Sequence, residues 1–113
     1  MSKFRVLDAA RLVDDEVVAL LSNRKYRMLS RVQLAKASES IGSNIREAEG
    51  RREGPEREQF WRYARGSAEE TDEHMRRNFI ARRIPAVVCW RLHHRLRTII
   101  NMLDELMEQD EAS

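Results

Sequence analysis

Apolar residues recur along the chain at steps of three and four, the spacing that gathers side chains on one face of an α-helix. Val6, Ala9, Ala10, Val13, Val17, Leu20 and Leu21 predict a first helix over about 5–21. Ser22 and Asn23 end it, and a basic turn of sequence RKYRM follows. Leu29, Val32, Leu34, Ile41 and Ile45, set among small residues, predict a second helix over about 29–48, with Gly50 suited to its C-terminal stop. Gly54-Pro55 opens a third helix over about 55–82. Proline at a first-turn position forfeits no hydrogen bond, and Glu56 and Glu58 favour the positive end of the peptide dipoles. Its expected core residues are Phe60, Ala64, Met75, Phe79 and Ile80. Pro85 restarts the chain as a fourth helix over about 85–109, whose seam is Cys89, Leu92, Leu96, Ile99, Leu103 and Leu106. Sustained alternation and Asn-Gly or Asp-Gly hairpin signals are missing, which argues against strands. Short connections favour antiparallel neighbours, so the expected fold is all-α: one domain over residues 1–113, an antiparallel up-down-up-down four-helix bundle.

The polar positions break this pattern between Gln33 and Ser67. Ser40, Asn44 and Glu47 lie at i, i+4 and i+7 on one face of the second helix. Ala64, Gly66, Ser67 and Ala68 place more small residues on the third. Buried polar groups are costly unless paired, so Ser40, Asn44, Glu47 and Ser67 are expected to form a hydrogen-bonded seam between closely packed helices.

Ser40-Ile41, Asn44-Ile45, Glu47, Gly50-Arg51, Phe60 and Ala64-x-Gly66-Ser67 stand in an ungapped arrangement. In that arrangement the chain resembles the bacterial four-helix-bundle proteins found in intervening sequences of large-subunit ribosomal RNA genes. Those proteins are similar in turn to the accessory protein of diversity-generating retroelements (Avd-like). The resemblance extends from about Phe4 to Met107, with Arg46, Ala48 and Trp61 departing from the usual alanine, glycine and leucine. It implies a four-helix bundle, assembly as a ring-like homopentamer and, through the retroelement relatives, nucleic acid and a reverse transcriptase as partners.

Composition narrows the function. The 113 residues are 35% charged and 42% apolar, as in a helical protein with well-solvated outer faces. The start, MSKFRVLDAA, lacks a secretory signal, and no apolar run reaches a membrane span. The single Cys89 cannot form an internal disulfide, so a reducing cytoplasm is the expected compartment and no membrane partner is expected. A net charge of +2 says little by itself, but its distribution says more. No acidic residue occurs from His74 to Leu103, a stretch that holds Arg76, Arg77, Arg82, Arg83, Arg91, Arg95 and Arg97. In an up-down bundle the turn with Arg82 and Arg83 lies at the same end as the turn with Arg24, Lys25, Arg27 and Arg31. The opposite end gathers Asp104, Glu105, Glu108, Asp110, Glu111, Glu53 and Glu56, with Arg51 and Arg52 among them.

Arginine prevails over lysine, which occurs only as Lys3, Lys25 and Lys36. Guanidinium groups grip phosphate in two places at once and stack on bases. Arg24, Lys25, Arg27, Arg31, Arg76, Arg77, Arg82, Arg83 and Arg91 are therefore the expected contacts to RNA or DNA phosphates, with Tyr26 available for stacking. The plain alternative is that arginines near the C-termini of the first and third helices complement helix dipoles.

Other chemistry finds little support. Glu47, Glu70, Glu73 and His74 supply only one acid–histidine pair, short of the ligand set of a bundle di-metal site. Adjacent His93 and His94 diverge on a regular helix. Cys89 and His93, one turn apart, lack an oxyanion hole, and no Gly-rich phosphate loop follows a strand. Trp61 and Trp90 read either as interface aromatics or as partly buried core. The expectation is a non-enzymatic, cofactor-free, metal-free, homo-oligomeric nucleic-acid-binding accessory protein. The alternative is a protein-interaction scaffold that does not bind nucleic acid; a small metalloenzyme is a third reading.

Overall fold

The computed structural model describes residues 5–112, and their order is α1 (Val6–Ser22), α2 (Arg31–Glu49), α3 (Pro55–Ile80) and α4 (Ala86–Ala112), with no strand among the described residues. Each helix packs on two neighbours, α1 on α2 and α4, α3 on α2 and α4, which closes a four-helix bundle of 47 × 28 × 20 Å. Val13, Val17, Leu34, Ile41, Ile45, Met75, Leu92, Leu96, Ile99 and Leu103 are fully buried along its axis.

α1 forms where expected, and the other three helices depart from expectation at identifiable places. At the start of α1 the Asp8 carboxylate accepts the Arg5 N–H at 3.1 Å, occupying a backbone donor that the helix leaves free. α2 begins at Arg31 rather than near residue 29, and Leu29 and Val32 face solvent instead of the core. The cause is Asn78 on α3. Its side chain accepts the Leu29 N–H at 2.6 Å and donates to the Leu29 carbonyl at 3.2 Å, so both backbone groups of residue 29 are held outside the helix.

α3 buries Ala64 and Met75 as expected, but the rest of its buried stripe differs from the expected one. Trp61, Ala64, Ala68, Thr71, Met75 and Asn78 form its buried stripe, with steps of three and four throughout. Phe60 is only half-buried beneath the Arg51 guanidinium, 4.5 Å from its ring centre, and Phe79 and Ile80 are exposed. Trp61, which on sequence reads either as an interface aromatic or as partly buried core, is core. Its indole N–H donates to Asp110 at 3.1 Å, and Arg57 meets the same carboxylate at 3.0 Å. α3 stops at Ile80 because Arg82 turns left-handed, at φ 61°, while its N–H bonds to Phe79 O and that of Arg83 to Asn78 O. α4 then runs to Ala112, past the expected end, with Cys89 and Leu106 half-buried beside the seam. No described helix is long and apolar enough to cross a membrane.

Candidate functional site

The α1–α2 loop and the α3–α4 turn meet at one end of the bundle. Two contacts tie them together, and a third braces the α1–α2 loop on itself. Asn78 clasps Leu29 as above and also donates to His74 O at 2.8 Å, which fixes its own rotamer. The Arg83 guanidinium donates to the Arg27 carbonyl across the two turns at 3.0 Å. Arg31 reaches back to the Leu21 carbonyl at the end of α1. Between them lies a cavity of about 690 Å³ whose walls include Arg24, Tyr26, Arg27, Arg31 and Arg83.

Six of the nine expected phosphate contacts gather here: Arg24, Lys25, Arg27, Arg31, Arg82 and Arg83. None of them is ion-paired with a described carboxylate. The other three are engaged elsewhere. Arg76 and Arg77 share Glu73 at 3.8 and 3.1 Å, and Arg91 meets Glu16 of α1 at 2.9 Å. Arg31 gives an N–H to the Leu21 carbonyl at the end of α1, as the helix-dipole alternative requires, whereas Arg83 gives one to the loop carbonyl of Arg27. Arg24, Lys25, Arg27 and Arg82 show no such side-chain bond among the described residues.

Arg82 carries a further signal. The left-handed position after a helix usually belongs to glycine, since a Cβ there costs about 1–2 kcal/mol. Ser30, on the facing loop, is also left-handed, at φ 53°. Backbone strain of this kind concentrates at functional sites.

Toward the opposite end Arg46 and Arg52 also have no described ion pair, but the other basic residues contrast with these. Arg51 is held by Glu47 and Glu56 at 3.1 and 2.8 Å, Arg65 by Asp104 at 2.8 Å and by Glu69, and Arg5 by Glu49. The hydrogen bond that Arg65 donates to Asp104 pushes the Arg65 pKa up from its ordinary value, and the one that Arg5 donates to Glu49 does the same for Arg5.

The polar seam forms, with one member missing. Ser67 donates to Ser40 Oγ at 2.9 Å, and the Asn44 amide donates to Ser40 O and Oγ at 2.8 and 2.9 Å. Glu47 turns away to Arg51, because one turn from the end of α2 it reaches solvent. Gly66 is exposed, and a Cβ there would touch nothing, so it is not the close-packing residue its place in the motif suggests. A second polar bridge, Ser38 to Asp14 at 2.9 Å, joins α1 to α2.

On the outer face of α3 and α4 lies a groove of about 660 Å³. Asp72 faces His93 Nδ1 there at 3.0 Å. Burial, then the charge of Asp72, pushes the nearby Cys89 thiol up, the direction opposite to that of a thiolate nucleophile. Among the described residues no three His, Cys, Asp or Glu side chains gather to hold a metal ion.

The pairing of Asn44 with Ser40, and of Ser40 with Ser67, shows that the motif carrying the resemblance is the packing seam itself. Residues 2–105 match the family model of the 23S rRNA-intervening sequence protein. The chain belongs to that family. A crystal structure of a protein of unknown function from the S23 ribosomal protein family of Bacteroides thetaiotaomicron is similar to it at 21% identity. That likeness has a TM-score of 0.84 and covers 91% of this chain and 98% of the other; at this identity it shows the shared fold. No curated protein matches the chain. The intervening-sequence family thus accounts for the bundle and its seam.

Asn78 escaped the sequence reading, which also left the burial of Trp61 open. A signal for both existed: extending the Ala64–Ala68 stripe by three and four residues in each direction reaches Trp61, Thr71, Met75 and Asn78.

Proposed function

We propose that this member of the intervening-sequence protein family is a non-enzymatic, homo-oligomeric accessory protein that binds RNA or DNA through its basic end. The observation that carries the reading is the clasped pair of turns holding Arg24, Lys25, Arg27, Arg31, Arg82 and Arg83 together without a described carboxylate partner. Guanidinium groups without a carboxylate partner, gathered around such a cavity, suit phosphate oxygens along a backbone. Arg76, Arg77 and Arg91 contribute at the margin, since each would have to exchange an existing carboxylate for phosphate.

The resemblance to retroelement accessory proteins supports a reverse transcriptase as the protein partner and a pentameric ring as the assembly, working in the cytoplasm. Five such ends around one axis would combine weak contacts into useful affinity. Charge reversal tests the core of this reading. Arg82→Glu with Arg83→Glu should weaken binding and flatten its salt dependence by about one logarithmic unit of slope per lost phosphate contact. Electrophoretic shifts across a potassium chloride series measure both. An unchanged slope and affinity in a folded variant would sink the proposal and favour a protein-interaction scaffold.

A further inference from the structure

Trp90 is the feature that the basic end leaves unexplained. It is 57% exposed, whereas Trp61 is 1% exposed, and its exposed neighbours on the last turn of α3 and the first of α4 are Phe79, Ile80 and Val87. The other large exposed apolar residues form no group of this size: Leu29 and Val32 are a pair at the start of α2, Tyr63 is on α3, and Leu12 and Val18, six residues apart on α1, fall on different flanks of that helix. An exposed apolar cluster beside a groove marks a binding surface.

We propose that the α3–α4 groove receives an unstacked base of single-stranded nucleic acid, stacked on the Trp90 indole. The inference rests on the reading of the basic end as a phosphate-binding surface and assigns the form of nucleic acid that it takes. His93 stands almost perpendicular to the indole, at 86° with centroids 5.6 Å apart, and His94 lies at 32° and 6.0 Å. These rings brace the indole while much of its surface stays open, as a stacking platform requires. A groove of about 660 Å³ has room for a nucleoside.

Charge fits the same occupant. Arg76 and Arg97 line the groove beside the carboxylates of Glu69, Asp72 and Glu73. Each carboxylate already has a partner: Arg65 for Glu69, His93 for Asp72, and Arg76 and Arg77 for Glu73. With three carboxylates against two guanidinium groups on its walls, the groove suits a neutral base more than a phosphate. Phe79 and Ile80 lead directly into the turn that holds Arg82 and Arg83. A strand with its phosphates on that turn can thus lay a neighbouring base on Trp90. A duplex, whose bases stay stacked, cannot.

Intrinsic fluorescence of the full-length protein tests this, because buried Trp61 serves as an internal reference. A short single-stranded oligonucleotide should quench the Trp90 emission, and the same sequence as a duplex should not. Trp90→Ala should abolish the quenching and weaken single-strand binding roughly tenfold, with duplex affinity and salt slope unchanged, while Trp90→Phe should retain most of the affinity. If Trp90→Ala binds the single strand as the native protein does, while the Arg82→Glu/Arg83→Glu variant binds weakly, this inference falls and the basic-end reading stands. A loss of oligomeric mass in Trp90→Ala without a loss of affinity also overturns it, making the groove a contact between copies. If the native protein binds neither form, both readings fall together.

Discussion

At the scale of single residues, Arg82 separates stability from function. Its left-handed backbone closes the end of α3 with the bonds that a glycine would make, and the Cβ is a steric burden there. Arg82→Gly should therefore raise the unfolding free energy by about 0.5–1 kcal/mol while it lowers nucleic-acid affinity. Denaturant titration and an electrophoretic shift on the same sample check the two signs. A variant that gains neither stability nor loses affinity would show that the arginine is retained for a contact within the protein. Asn78 is the other decisive residue, because one amide side chain satisfies three backbone groups on two elements. Asn78→Ala leaves the Leu29 N–H and carbonyl without their partner. It should cost about 1–3 kcal/mol in chemical denaturation, a larger loss than truncating any of the exposed arginines nearby.

At the scale of the elements, helical phase decides what is inside. Trp61 belongs to the Ala64–Ala68–Thr71–Met75 stripe, so Trp61→Ala should destabilise the bundle by about 3–5 kcal/mol, read as a lower melting temperature. Phe60, one residue earlier, lies off that stripe under Arg51, and its truncation should cost less. The four helices and their order were legible in the spacing of leucines, isoleucines and valines, because amphipathic periodicity needs no tertiary knowledge. The phase of α3 was harder to read. Its buried stripe is made mostly of alanine, threonine and asparagine, which have no strong hydrophobic signal, so the louder Phe60, Phe79 and Ile80 drew the reading one position aside. The Ser40–Asn44–Ser67 seam was legible from spacing, whereas Glu47 was not excluded by it: helical angle alone does not say how far along a helix the neighbouring helix still covers it. The Leu29–Asn78 clasp joins residues 49 positions apart, and local pattern holds no trace of such a pairing.

At the scale of the whole molecule, packing and charge run along one axis. The seam between α2 and α3, with the closure of α1 on α4, fixes which turns share an end. The clasp then holds those two turns as one surface. Assembly should follow the resemblance, and light scattering on the purified protein should give roughly five times the 13.3 kDa chain mass. A monomer mass that does not change with concentration would remove the avidity on which weak individual contacts depend. The end-to-end separation of charge has a kinetic consequence as well. Six basic residues at one end of a body 47 Å long, opposed by Glu53, Glu105, Glu108 and Glu111 at the other, give a polyanion a lever with which to turn the protein. Long-range attraction acts before contact and fades with added salt. Under the proposed function the protein would arrive already pointing the right way, and added salt should slow its arrival.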